Sequence, residues 1–459
     1  MNNKKGKVGF VSLGCSKNTC DTEVMLKHLH DAGYEITPDE TEADVVVINT
    51  CAFIESAKKE SIDNIIDIAW LKKHKGLKGI IVTGCLAERY REEVLNEFPE
   101  VDAVLGVGGI HKIKDAVDSV LENYKKKPAE RCRYSCFDDK EKSDLGGERI
   151  ITTGEHMAYI KVAEGCSNRC TYCAIPLIRG KMRSRTMKDI VEEATALDAM
   201  GIKELNIIAQ DTTAYGTDLY GKPCLDELIR AICSATSIPW IRLLYCYPDK
   251  ITDELVSEIR DNPRVVKYID LPVQHISDSV LKRMNRHGGS DVIREAVSKL
   301  RREVPGIILR STAIVGFPGE TDEDFEKLCD FIKEAKFERF GAFTYSREED
   351  TPAYAFDDQI DEQVKQDRYD ILMQTQLEIS EKFNETRVGK TYKVLCEGYD
   401  VVAESHYGRS YGEAEDIDGK IWFTAPGGIR IAEGEMVDVK ITEALDYDLV
   451  GEAKITPLR

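Results

Sequence analysis

Residues Glu164–Arg185 read EGCSNRCTYCAIPLIRGKMRSR, and their three cysteines, Cys166, Cys170 and Cys173, are spaced C-x3-C-x2-C. A structural zinc ion wants four ligands and usually takes them as two C-x2-C pairs or with paired histidines. Neither arrangement occurs nearby, although His156 could serve as a fourth ligand. Three thiolates on a [4Fe–4S] cube would instead leave one iron open to bind a substrate or cofactor. The cysteines follow the apolar run Ala158–Ala163, so they lie just past the end of a strand.

Further strands are expected at Leu205–Gln210, Ile241–Cys246, Tyr268–Leu271, Ile308–Val315 and Phe340–Tyr345, with helical patterns after each of the first five strands. Six β/α steps are too few for a closed eight-stranded barrel and predict a partial (β/α)6 barrel over 156–386. Its last part is a long helical pattern, Asp361–Thr386. Short strands with Gly-rich turns then predict a small all-β barrel over 387–459. Upstream, residues 1–125 alternate continuous apolar strands (Lys7–Leu13, Ala43–Asn49, Gly79–Thr83, Val101–Val107) with helical patterns. That alternation implies an α/β domain whose parallel sheet is covered on both faces. Residues 126–155 lose periodicity, carry charge, Gly and Pro, and read as a linker.

The N-terminal domain holds a second set of thiols. Cys15, Cys51 and Cys85 each follow an apolar strand, beside Gly or Thr. Strand ends of a parallel α/β sheet share one edge, where ligands bind. Three cysteines spread over about seventy residues should therefore meet on one rim and hold a metal centre. The plain alternative is buried thiols, which are common in cores. The other cysteines (20, 132, 136, 224, 233, 246, 329, 396) read as structural, with Cys20 an extra thiol close to Cys15.

Composition narrows the class. The chain has 459 residues, 14 cysteines and a formal net charge of −19. That balance argues against bulk nucleic-acid binding, which needs Lys and Arg against phosphate. No apolar run is long enough to span a bilayer, and MNNKKGKVGFVSLGC makes a poor signal peptide. The expected compartment is the cytoplasm, where many cysteines point to metal binding or catalysis rather than disulfides.

The segments NTCAFIES, GCLAERY, EGCSNRCTYCAIPLIRG, LPVQHISDSVLKRMNR and IVGFPGETDEDF together resemble the radical S-adenosylmethionine (SAM) methylthiotransferases. The resemblance covers nearly the whole chain. It implies an auxiliary [4Fe–4S] cluster on Cys15, Cys51 and Cys85, and a radical SAM cluster on the catalytic Cys166, Cys170 and Cys173. It also implies a C-terminal TRAM β-barrel. The open iron of the second cluster would chelate S-adenosylmethionine and cleave it to a 5′-deoxyadenosyl radical. A low-potential electron donor and a sulfur source would be required.

Supporting positions are less specific. Tyr172 precedes the last loop cysteine; Gln210, Asp211, Gln274, Gly316 and Pro318 follow strands and could contact the cofactor or be ordinary loop residues. His275 reads as a hydrogen-bonding loop residue. Arg179, Lys181, Arg183 and Arg185 alternate, so an extended chain would aim all four to one side, as a solvated face or as an anchor for a carboxylate, with Arg183 a candidate cofactor contact.

The family modifies two substrate classes: an aspartate β-carbon of ribosomal protein S12 (RimO type), or an isopentenylated adenosine of tRNA (MiaB type). GCSKN, CAFIESAKKESID, AQDTTAYG, WIRLLYCYP, PVQHISDSVLKRMNR and YSREEDTP resemble the first. Residues 388–459 carry 14 Asp/Glu against 8 Lys/Arg, which suits a basic protein partner, free or in the small ribosomal subunit, better than an RNA backbone. A zinc-binding ribosome adaptor is the rival from another class.

Overall fold

The structure is a computed structural model that describes residues 5–454. The charged start Met1–Lys4, read above as part of a poor signal peptide, and the last five residues of the expected 387–459 module lie outside the described residues. Two compact units emerge. The first gathers residues up to Thr152 with Lys161–Arg185 and Ser346–Tyr354; the second gathers Thr153–Ile160, Thr186–Tyr345 and residues from Ala355 onward.

The first unit is built on a six-stranded parallel sheet, β1 (Lys7–Ser12), β2 (Glu35–Thr37), β3 (Val45–Thr50), β4 (Gly79–Gly84), β5 (Ala103–Leu105) and β6 (Tyr134–Cys136), in the order β2-β1-β3-β4-β5-β6. Every residue of β3 and β4 is buried. Val46, Ile48, Ile80 and Val82 enter one core, while Val45, Val47 and Ile81 enter the other, which is the two-sided covering that continuous apolar strands require. Strands β2 and β6 were not anticipated. The stretch 126–155, expected to be a linker, contributes β6 as an edge strand and packs further on: Thr152 N and Arg149 Nη1 donate to the Glu23 carboxylate at 2.7 and 2.6 Å. Three-residue edge strands carry too little pattern to stand out in a charged stretch.

The first helix begins at Ser16, directly after Cys15, and runs to Asp31. Its opening residues look like a loop because they are polar, yet Asn18, Asp21 and Glu23 are buried. A two-residue antiparallel ladder, β8 (Ala163–Glu164) with β9 (Arg183–Ser184), completes this unit after β7 (Met157–Lys161).

In the second unit β7 joins β10 (Glu204–Ile208), β11 (Trp240–Leu243), β12 (Val265–Asp270), β13 (Ile308–Val315) and β14 (Arg339–Thr344) in the order β14-β13-β12-β11-β10-β7. This is the open six-stranded α/β sheet expected of a partial barrel. The helix Glu362–Glu385 packs beside β14, where Gln376 donates to Phe337 O at 3.0 Å. The tail closes into a five-stranded barrel, β15 (Thr391–Asp400), β16 (Ser405–Arg409), β17 (Ile421–Thr424), β18 (Met436–Ala444) and β19 (Leu449–Ala453).

The small barrel docks through buried ion pairs at the starting ends of the sheet strands. Arg242 Nε donates to Glu204 at 2.6 Å and its Nη1 to Tyr411 O at 2.8 Å, and Arg339 reaches Glu413 at 2.8 Å. Burial would raise the Glu204 carboxyl, but Arg242 and Arg409 outweigh it and hold it down to about 2. Asp211, Gln274 and Gly316 follow the other ends of the strands, where ligands bind in such sheets.

Candidate metal and cofactor sites

The first unit brings Cys15, Cys51 and Cys85 together. Cys15 opens the helix Ser16–Asp31, Cys51 follows β3 directly, and Cys85 follows β4. Gly14 has φ +93°, and a Cβ there would stand 3.0 Å from Cys51 Cβ and 3.2 Å from its sulfur. Backbone without a side chain is what lets the Cys15 segment close on Cys51. Burial, then the neighbouring Cys85 thiol, pushes the Cys51 thiol up to about 12. Burial likewise raises Cys85, with Cys15 adding to the shift and Arg179 opposing it. Two buried thiols, with the exposed Cys15 within electrostatic reach of both, stay protonated in the bare protein and together offer a donor set for a soft metal centre.

Side chains that the sequence reading did not single out hold these segments. Asn18 Nδ2 donates to Leu13 O and Thr50 O at 2.9 and 3.0 Å, so it ties the Cys15 and Cys51 turns together. Ser61 Oγ accepts from Cys51 N at 3.0 Å. Cys20, one turn along the helix, has its sulfur 3.4 Å from Arg149 Nη1. Asn18 lies in GCSKN, but a helix-opening Asn gives no sign of being buried.

The second trio belongs to the same unit. The loop carrying Cys166, Cys170 and Cys173 is pinched at its base, where Ala163 pairs with Ser184 and Glu164 with Arg183. Gly165, at φ +77°, leaves room for the returning chain, since a Cβ would lie 2.2 Å from Lys181 O. Cys166 N donates to Gly180 O and Cys173 N to Cys170 O, each at 3.1 Å. Cys166 and Cys170 are buried, while Tyr172 and Cys173 are half-buried.

The cationic run does not face one side. Ile175–Arg179 is helical, which breaks the extended pattern the spacing suggested. Arg183, the candidate cofactor contact, donates to Ser143 O at 2.7 Å and also to Lys140 O, so its guanidinium holds the 140–143 turn. Arg185 donates to Lys161 O at 2.8 Å, and Lys181 is exposed. Arg179 is buried and reaches Asp21 Oδ2 at 2.8 Å, Glu164 Oε2 at 2.9 Å, Asn18 Oδ1 at 2.5 Å and the Cys85 sulfur at 3.5 Å. Lys161 pairs with the same two acids at 2.5 and 2.7 Å. The result is a buried, charge-balanced tetrad that links the helix after the Cys166–Cys173 loop to the scattered trio.

The stretch around YSREEDTP also joins both trios. Arg89 donates to Glu348 Oε2 at 2.7 Å and to Ala52 O, next to Cys51, at 3.0 Å; Ala353 N donates to Thr171 O at 2.9 Å. Glu348 is buried, so this pair is a structural clamp rather than a surface contact.

In the second unit the expected cofactor contacts divide. Gln274 has φ +68° and is wired into the sheet, its N donating to Thr312 O at 2.8 Å and its O accepting from Ile314 N at 2.7 Å. Its side-chain Oε1 is buried without a hydrogen-bond partner, as fits an acceptor awaiting a ligand. Asp211 uses its carboxylate on Ala214 N at 3.1 Å and Lys250 Nζ at 2.5 Å. Gln210 lies just beyond β10 and is half-buried. The space above Gly316 is taken by the Lys365 stem, at 2.2 Å from an added Cβ, and Gly316 N donates to Glu320 at 2.9 Å. Pro318 is buried, and its carbonyl accepts from Arg283 at 3.0 Å. His275 accepts from Ser277 N at 3.0 Å, the loop role expected of it.

Family models match three successive stretches: uncharacterized protein family UPF0004 at 7–106, the radical SAM superfamily at 160–332, and the TRAM domain at 388–453. A ribosomal protein uS12 methylthiotransferase RimO of Acetivibrio thermocellus is 49% identical over 451 residues, 98% of each chain. The protein of that name from Geobacter sulfurreducens is 48% identical over 453 residues, 98% of this chain and 99% of its own. Among solved structures, the radical S-adenosylmethionine methyltransferase TsrM of Kitasatospora setae, with tryptophan and a SAM analogue bound, superposes with a TM-score of 0.54 at 15% identity, over 74% of this chain and 73% of that one, a likeness of fold. Among the described residues no helix is long and apolar enough to cross a membrane. With relatives this close over the full length, and both cysteine trios in place, the chain belongs to the RimO family of radical SAM methylthiotransferases.

Proposed function

We propose that this chain replaces a C–H bond with C–S–CH3 at the β-carbon of an aspartate in ribosomal protein uS12, in the cytoplasm. The observation that carries the reading is the pairing, in one compact unit, of a contiguous three-cysteine loop with a three-cysteine set gathered from separate strand ends. When bound, two [4Fe–4S] clusters and S-adenosylmethionine, together with a low-potential electron donor and a sulfur source, would supply the hydrogen-abstracting radical and the methylthio group.

The chain's own residues prepare that chemistry. Cys15, Cys51 and Cys85 would hold one cluster, and Cys166, Cys170 and Cys173 the other. Because burial keeps Cys51 and Cys85 protonated in the bare protein, loading the first site releases protons and couples metal binding to local order. Arg179 places a fixed cation beside Cys85, where a thiolate gains negative charge. Gln274 offers a buried acceptor to the cofactor, with Tyr172, Gln210, Gly316 and Pro318 as further proposed contacts. Asp211 acts by holding the turn after its strand, through Ala214 and Lys250. Burial of Cys51, Cys85, Cys166 and Cys170 limits solvent access to both sites.

The test is anaerobic incubation of the reduced, cluster-loaded protein with S-adenosylmethionine and either a uS12 peptide or intact tRNA, followed by mass spectrometry. A methylthio mass gain on the peptide is expected. A gain on tRNA nucleosides with none on the peptide or on the assembled small subunit overturns the assignment. A colourless preparation holding zinc in place of iron at the cysteines would favour the adaptor reading.

A further inference from the structure

We propose that the second unit carries a separate site for one divalent transition-metal ion, built by His156, Glu397 and Glu415, which fastens the small β-barrel to the start of the α/β sheet. His156 immediately precedes β7, Glu397 lies in β15, and Glu415 lies in the turn after β16. One ligand atom from each falls within 4.8 Å of the others. Donors bound to a single ion at about 2.0–2.2 Å stand roughly 3–4 Å apart, so small side-chain rotations would close the set.

Two observations point to a cation site rather than to a chance cluster of acids. The His156 side chain is 5% exposed, and neither ring nitrogen has a hydrogen-bond partner. Its nearest acids, Glu397 Oε1 at 3.9 Å and Glu433 Oε1 at 3.7 Å, stand beyond hydrogen-bond range. A buried imidazole with both nitrogens unsatisfied is costly, and a metal on one of them would remove much of that cost. Likewise Glu415 Oε2 is buried without a partner.

Charge counting agrees. Arg242 and Arg409 are matched by Glu204 and Glu397, through contacts of 2.6 Å (Arg242–Glu204), 2.8 Å (Arg409–Glu204) and 2.5 Å (Arg409–Glu397). Glu415 is left over. An incoming dication would give that carboxyl the counter-charge it lacks. The His156 backbone is already fixed, because its carbonyl accepts from Lys203 N and Glu204 N at 2.7 and 3.1 Å. One imidazole with two carboxylates suits zinc, a borderline ion, or manganese, a harder one that still accepts imidazole, better than calcium or magnesium, which prefer all-oxygen shells.

The experiment uses the cluster-loaded protein in its oxidised state, freed of loosely held metal and titrated with Zn2+ by calorimetry and with Mn2+ by electron paramagnetic resonance. One ion per chain beyond the iron is expected. Affinity should fall at least tenfold in His156→Ala and in Glu415→Gln, and should be unchanged in the remote His287→Ala. Zn2+ should raise the melting temperature of the parent protein and leave that of both site variants unmoved. No uptake by the parent protein, or equal uptake by all four proteins, overturns the proposal. Should His156→Ala fail to fold, the near-isosteric Glu415→Gln decides the question.

Discussion

The two cysteine trios present the same donors by opposite means. Cys166, Cys170 and Cys173 lie within one loop whose geometry is set by its own chain: a two-pair ladder at the base, Gly165 turning against Lys181, and short backbone bonds between. Cys15, Cys51 and Cys85 lie on separate segments, and their meeting depends on parallel strand order and on Asn18, Ser61 and Arg179. The first trio is local and should survive losses elsewhere in the unit. The second is tertiary and should be fragile.

The largest test of that contrast is Arg179→Met, which leaves Asp21 and Glu164 buried with Lys161 as their remaining cation. Breaking a buried ion network from one side costs about 3–5 kcal/mol. Chemical unfolding should show a loss of that order, with iron lost first from the scattered trio. A loss under 1 kcal/mol with full iron would mean that the tetrad does not hold the trio.

The next effect is kinetic. In the metal-free protein near pH 8, Cys51 should react with iodoacetamide about a thousandfold more slowly than an ordinary exposed thiol, since a thiol at about 12 has that much less thiolate than one at 9. The sign follows from a raised value. The fold favours the protonated form, so the contribution of Cys51 to stability is whole below the ordinary thiol range and is lost as pH climbs toward about 12. Mass mapping of the modified cysteines against time checks this, and rapid Cys51 labelling would show that the trio is open.

A smaller change is expected from Asn18→Ala. It removes the bridge between Leu13 O and Thr50 O and should cost about 1–3 kcal/mol. Iron should fall at the scattered trio and persist at the loop, which selective removal of each trio in turn would resolve. Equal loss at both sites would show that the two trios depend on Asn18 alike. The smallest effect belongs to Cys132→Ser and Cys136→Ser. Cys132 is exposed and Cys136 sits in edge strand β6, so iron per chain should stay at the parent value.

Much of this was legible beforehand, for identifiable reasons. The contiguous trio announces itself because metal-ligand spacing within one loop is a local property. Strand ends at Cys15, Cys51 and Cys85 could be read because buried parallel strands are continuous apolar runs, and β3 and β4 are buried throughout. The arginine run was misjudged, because period-two spacing says nothing about a five-residue helix placed in its midst. The acidic excess of the small barrel also needs discounting as an argument for a basic partner. Glu397 and Glu413 are largely buried against arginines, so part of that charge serves docking and never reaches the surface.

By itself, then, the sequence determined the fold class and marked the six thiols as candidate ligands, since each rests on short-range periodicity or spacing. Tertiary structure alone decided that Arg179 serves the auxiliary trio, that β6 extends the first sheet, and that His156 lies beside Glu397 and Glu415. Those groups are separated by tens to hundreds of residues. Which buried charges meet is settled by packing and by the need to neutralise them away from water, and no local pattern encodes it.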